Sequence, residues 1–311
     1  MKEDTIMNLT AENLQAGIAF VQANARDIDK AMFAYHWQDG PETAVLAALA
    51  PYQNDDGGFG HGLEPDFRLP ASSPMATSVA LQYCTAINAA ATEPLVQKAI
   101  RYLCETYQEG DFWYATDQQV NDAPHAFWWH VNELTPPDET RWPNPSAELV
   151  GYLHRYAELV PPALLARATA RAQANLESST IISGDAVQKY NILCWKQAQP
   201  YLPTALATAV TAKIRATYDH WHPTSPETFG ELSIMAFAAT PQSIMAQQFP
   251  ALVDQLLDQE IARQGDDGGW WPAWHWGQYE DTWPIAQREW AGKMTADTLS
   301  VLRNFGKIER H

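Results

Sequence analysis

Apolar residues recur along most of this chain at three- and four-residue intervals, and no stretch alternates in the two-residue manner of a half-buried strand. Val45, Leu46 and Leu49 share one helical face, as do Val253, Leu256 and Leu257. The spacing predicts about twelve helices, the clearest near 10–26, 28–38, 41–52, 74–90, 93–107, 145–160, 162–178, 203–219, 245–263 and 292–304. Prolines mark several starts (Pro41, Pro74, Pro94, Pro145, Pro161, Pro226), since the missing amide is an orphan in the first turn anyway. Three stretches break the rhythm: 53–73, 108–144 and 264 to about 282. They are long for connections in a helical protein, and loops of that length are functional more often than idle.

Two of these stretches open on one phrase. Gln53–Asn54–Asp55–Asp56–Gly57–Gly58–Phe59 reappears as Gln264–Gly265–Asp266–Asp267–Gly268–Gly269–Trp270, and Gln108–Glu109–Gly110–Asp111–Phe112–Trp113 is a worn copy. The copies fit steps of roughly 52 residues, about six in the chain, a period that marks one supersecondary unit repeated. Asp-Gly and Gly-Gly form turns, and both full copies follow an apolar helical run. The phrase therefore predicts a turn after a helix. Gln caps free backbone groups at the helix end, and the aromatic folds back over the turn.

The phrase resembles the repeat of the protein prenyltransferase β-subunits and of the squalene and terpene cyclases. The first copy extends the likeness through Gly60, His61, Gly62, Leu63, Glu64, Pro65 and Asp66, then Ser72–Ser73–Pro74 and a helix carrying Thr77, Ala80 and Leu81. The match is good over residues 50–85 and 260–305 and rests on the period elsewhere. It implies an all-α fold, an α/α toroid of about six helical hairpins in a single domain over 1–311, with a central cavity. The known chemistries are not carried over. The chain has no Asp-x-Asp-Asp acid motif, and Cys84, Cys104 and Cys194 lie in apolar helical stretches without the context of a zinc site.

Composition narrows the partners. The formal charge of −17 disfavours nucleic acid and anionic membranes. No apolar run is long enough to span a bilayer. The start, Met1–Lys2–Glu3–Asp4–Thr5, predicts no secretory leader, and three scattered cysteines fit a reducing compartment, so a cytoplasmic protein is expected. His220 and His222 have the spacing of a metal pair without an evident third ligand. No metal and no cofactor are expected. Asp55–Asp56 and Asp266–Asp267 are read as turn residues, with magnesium as the alternative.

The outlier is tryptophan, at 13 residues. Trp270, Trp271, Trp274, Trp276, Trp283 and Trp290 crowd the third irregular stretch, and Trp113, Trp128 and Trp129 the second. Each irregular stretch also sets histidine and acids beside aromatics just before a helix. On a toroid such ends share one face. The predicted site therefore draws His61, Glu64 and Asp66 from the first stretch, His125, Trp128 and Trp129 from the second, and His275, Trp276 and Asp281 from the third. Glu64, Asp66, His125 and Asp281 are the candidate catalytic groups, and His61, Trp128, Trp129, His275 and Trp276 the candidate ligand contacts. Aromatic walls suit a small apolar, isoprenoid-like ligand. They equally suit a sugar cleaved by paired carboxylates, as in a carbohydrate-active hydrolase or lyase. A non-catalytic binding or scaffold protein on the same fold is the third reading, so whether the protein is an enzyme stays open at the level of sequence, as does its oligomeric state.

Overall fold

Proline and short polar caps set most helix boundaries in the computed structural model, which describes residues 7–182, 189–221 and 234–309. The helices are α1 (Ala11–Asn24), α2 (Asp27–Trp37), α3 (Glu42–Leu49), α4 (Pro74–Ala86), α5 (Pro94–Thr106), α6 (Pro143–Arg155), α7 (Pro162–Glu177), α8 (Lys189–Ala198), α9 (Thr204–Trp221), α10 (Ile234–Phe237), α11 (Ile244–Gln248), α12 (Pro250–Ala262) and α13 (Trp283–Asn304). Thr10 Oγ1 accepts from the Asn13 amide at 3.2 Å and Ser73 Oγ from the Ala76 amide at 3.1 Å, capping α1 and α4. Among the described residues the fold is all-helical, with isolated β-bridges and no strand.

The helix expected over 245–263 is two helices, because Pro250 cannot donate to the preceding turn. The last helix begins at Trp283 rather than near 292, with Pro284 in its first turn. α8 has no counterpart in the sequence reading. The expected start at Pro226 and the histidine His222 lie outside the described residues.

Contacts within the chain fall into two compact units. The first holds the described parts of residues 1–40, 222–275 and 281–311. Here α13 packs on α1 and α2, and α12 on α10 and α11. Its core includes Phe20, Ile28, Phe33, Val253, Leu257, Trp270, Leu299 and Leu302. The second unit holds the described parts of residues 41–221 together with 276–280. In it α6 packs against α4, α7 and α8, and α8 against α9, around Leu81, Leu103, Trp113, Trp142, Leu149 and Trp195.

The repeated phrase builds the same turn each time. In the first copy the Asn54 amide donates to Gly58 O at 2.9 Å, and the Gly57 amide to Asn54 O at 3.0 Å. In the last copy Gly265 and Gly268 make the same pair of bonds, both at 2.8 Å, to Gly269 O and Gly265 O. Asp56 Oδ1 accepts from the Gly58 amide and Asp267 Oδ1 from the Gly269 amide, at 2.9 and 3.0 Å. Gln53 Nε2 bridges Gly57 O to Leu95 O in α5, and Gln264 Nε2 bridges Gly268 O to Asn13 O in α1. The aromatic amide then meets a hydroxyl of the next long helix. Phe59 donates to Thr77 Oγ1 at 3.1 Å and Trp270 to Thr295 Oγ1 at 2.9 Å.

The worn copy obeys the same geometry in a shifted register. Gln108 donates to Phe112 O, Asp111 to Gln108 O, and Trp113 to Ser146 Oγ. Gln108 thus stands where Asn54 and Gly265 stand, not where Gln53 does. Asp111 takes the left-handed position of Gly57 and Gly268, at φ 64 against 94 and 85. Its carboxylate reaches Arg167 of α7 at 2.6 Å, in place of a glutamine bridge. Trp113 Nε1 donates to Leu103 O and Trp270 Nε1 to Glu260 O, at 2.9 and 2.8 Å, so each indole clamps the helix that precedes its turn.

Candidate functional site

Backbone pairing between irregular segments builds the site, all of it in the second unit. Phe67 and His125 form an antiparallel bridge. The Ala126 amide donates to Asp66 O at 2.8 Å and the Arg68 amide to Pro124 O at 2.8 Å. The Phe127 amide donates to Trp276 O at 3.0 Å, and Gln278 Nε2 to His125 O at 2.8 Å. Segments 64–68, 123–130 and 276–280 are thereby laced together, with the single 3₁₀ turn Phe127–Trp129 the one helical element among them.

Asp66 and Trp276 are buried, and Trp276 Nε1 donates to Asp66 Oδ1 at 2.9 Å. Glu64 Oε1 accepts from the Asp66 amide at 3.2 Å, so this carboxylate helps fix its own turn. His125 is buried with Nδ1 2.7 Å from Ala123 O, and its Nε2 lies 3.3 Å from Nδ1 of the exposed His130. The two imidazole planes lie 21° apart, and Tyr279 packs on His125 with ring centroids 5.2 Å apart. Trp129 meets Phe67 edge-on at 5.1 Å, and its Nε1 is buried with no acceptor in reach. Phe127 is 62% exposed, Trp128 43% and Tyr279 40%.

His61 sits in the second unit near the first turn, exposed, at φ 55, with Nε2 2.8 Å from Asn54 Oδ1. Asn54 Nδ2 in turn donates to Pro70 O and Ser72 Oγ, both at 3.0 Å, so His61 extends the network of that turn. His275 and Asp281 group with the first unit and are exposed there, His275 edge-on to Trp283 at 5.2 Å. Of the residues singled out from sequence, Asp66, His125, Trp129 and Trp276 are held by one lacework. His130, Gln278 and Tyr279 join them; only the spacing of histidine and aromatics in the irregular stretches hinted at these.

Among the described residues no group of three or more His, Cys, Asp or Glu side chains is placed to hold a metal ion. Burial pushes the Cys84 thiol up to about 12 and that of Cys104 up to about 11, which makes both poor nucleophiles and ligands at neutral pH. No described helix is long and apolar enough to cross a membrane.

A second polar cluster went unread in the sequence. Glu148 of α6 is buried, and its Oε1 accepts from Gln82 Nε2 of α4 at 2.8 Å and from Tyr152 OH at 2.5 Å. Desolvation raises its pKa above the ordinary 4.5 despite both hydrogen bonds. An acid whose folded pKa is raised binds more protons folded than unfolded, so its contribution is full below the unfolded pKa and is lost as pH rises through the folded one. Glu148→Gln keeps both partners and removes the titration. Urea denaturation should therefore show the variant gaining on the parent as pH rises from 4.5, and matching it most closely in acid. A parent that gains on the variant with rising pH would mean that Glu148 is held ionised.

Comparison with protein-family models, with curated proteins and with solved structures finds no match to this chain. Its chemistry rests on the geometry alone.

Proposed function

We propose that the chain is an α/α toroid that binds a small, uncharged, largely apolar ligand of isoprenoid-like character at the 123–130 and 276–280 segments. The carrying observation is where the exposed aromatics lie. Phe127, Trp128 and Tyr279 present their rings to solvent from one laced segment cluster, where a structural role alone would bury them. Trp129, edge-on to Phe67 with ring centroids 5.1 Å apart, extends the apolar wall beneath them. The charge of −17 argues against a phosphorylated ligand. The toroid is supported by the repeated turn, and by the last copy docking on α1, as a closed series of hairpins requires.

Exposed flat rings also favour a second reading, a sugar stacked on Trp128. Tryptophan fluorescence titration separates the two. A C15 or C20 prenyl alcohol is expected to quench and saturate, and Trp128→Ala to weaken its binding by roughly tenfold, the loss of about 1.4 kcal/mol. Saturation by an oligosaccharide but not the alcohol moves the assignment to carbohydrate. No response to either leaves a scaffold protein.

A further inference from the structure

The geometry points to His130 as a general base open to the ligand, with the buried His125 as its positioning partner. His125 Nδ1 lies 2.7 Å from Ala123 O, and a carbonyl only accepts, so that nitrogen carries hydrogen. In the neutral ring the other nitrogen, Nε2, is then an acceptor. It faces His130 Nδ1 at 3.3 Å, and this contact is a hydrogen bond only if His130 donates from Nδ1. The proton of His130 is thereby pinned on its inner nitrogen, and its outer Nε2 is left with a bare lone pair on an exposed ring. An isolated imidazole favours the opposite tautomer. The buried neighbour selects the basic face, as an orienting acceptor does for a catalytic histidine.

When Nε2 of His130 takes the proton of a hydroxyl, the electron pair of that O–H bond stays on oxygen. The positive charge rests on the exposed imidazole of His130, whose Nδ1–H still donates to Nε2 of the neutral His125, now as a charge-assisted hydrogen bond. The buried inner ring keeps its own hydrogen on Nδ1 against Ala123 O and packs against Tyr279, with ring centroids 5.2 Å apart. The reverse transfer from Nε2 returns the proton. The hydroxyl belongs to a bound water or to an uncharged ligand on the aromatic cluster. This assignment rests on the ligand-binding reading for its substrate and stands apart from it for its tautomer.

Two measurements test it. Long-range ¹H–¹⁵N spectra at alkaline pH should show hydrogen on Nδ1 of both His125 and His130, and His125→Phe should return His130 to the common Nε2–H form. A purely packing role for His125 leaves that signature unmoved. The second is hydrolysis of 4-nitrophenyl acetate, in which His130 draws the proton from water, hydroxide adds to the carbonyl carbon, and 4-nitrophenolate departs. His130→Gln should slow it by roughly 100-fold, the lower range for a positioned base. His154→Gln should leave it unchanged, because His154 lies outside the cluster, with its Nε2 engaged by Thr169 Oγ1 at 2.8 Å. Parent His130 in the Nε2–H form, or His130→Gln as fast as the parent, overturns the assignment. Prenyl alcohol binding measured on His130→Gln reports on the ligand-binding reading independently.

Discussion

Gly268→Val is expected to destabilise the protein by roughly 2–5 kcal/mol, from about 1–2 for a side chain in left-handed backbone and 1–3 for overpacking. Gly268 sits at φ 85, and a Cβ there would lie 2.5 Å from the carbonyl of Ala16. That carbonyl belongs to the middle of α1 and has no room to retreat. Gly57 is in the same position, at φ 94, with the Lys98 carbonyl 2.5 Å away. The two contributions separate cleanly. Gly306 has φ 67 and nothing within 4 Å of its would-be Cβ, so Gly306→Val carries only the backbone part. Urea denaturation of the three variants should place Gly57→Val and Gly268→Val well below Gly306→Val. Equal losses would show that the turns do not seat on their helices as tightly as the geometry says.

The second large effect concerns Trp276. Trp276→Ala should cost about 3–5 kcal/mol, the range for emptying a buried aromatic site. Trp276→Phe keeps most of the volume and removes the indole N–H. It should still cost about 1.5–3 kcal/mol, since Asp66 loses a donor to its buried carboxylate. The ordering Ala, then Phe, then parent is the expected result in thermal or chemical denaturation. A phenylalanine variant as stable as the parent would mean that the Asp66 bond contributes nothing. Because residues 276–280 belong to the second unit, the loss should appear in the unfolding of that unit, read by a probe such as Trp142 or Trp195.

The residues that announced themselves in the sequence are those with local rules. Asp-Gly-Gly turns are dictated by φ and by Asx hydrogen bonding, and both full copies take the conformation their sequence demands. The worn copy misled by its glutamine. Matching Gln108 to Gln53 was an identity of letters, whereas backbone bonds align it with Asn54, and Asp111 tolerates the left-handed position that the others give to glycine. The apolar pattern predicts α13 only from near 292, because Gln287, Arg288 and Glu289, in the turn after Pro284, interrupt it. The segment cluster has no periodic signal at all. That Asp66 meets Trp276, or His125 meets Tyr279, follows from amide–carbonyl pairs such as Ala126 to Asp66, and those bonds involve no side-chain pattern that a sequence could display. Glu148 stayed hidden because a single acid in α6 reads as a surface residue until its neighbours on α4 are known.

One consequence of the first unit concerns the order in which the protein is made. Its two halves are far apart in the chain: Gln264 bonds to Asn13 across 251 residues, and Arg303 to His36 across 267. Phe20, Val21, Ile28 and Phe33 leave the ribosome long before α13, which packs against their helices. Most of the 41–221 stretch has its partners nearby and is free to begin folding during synthesis, with Asp66 and His125 waiting for Trp276 and Tyr279, while α1 and α2 wait with their apolar faces bare. A chain halted between residues 221 and 283 is therefore not a smaller version of this protein. It is a partly folded middle with two sticky helices, and such a product belongs to chaperones and proteases.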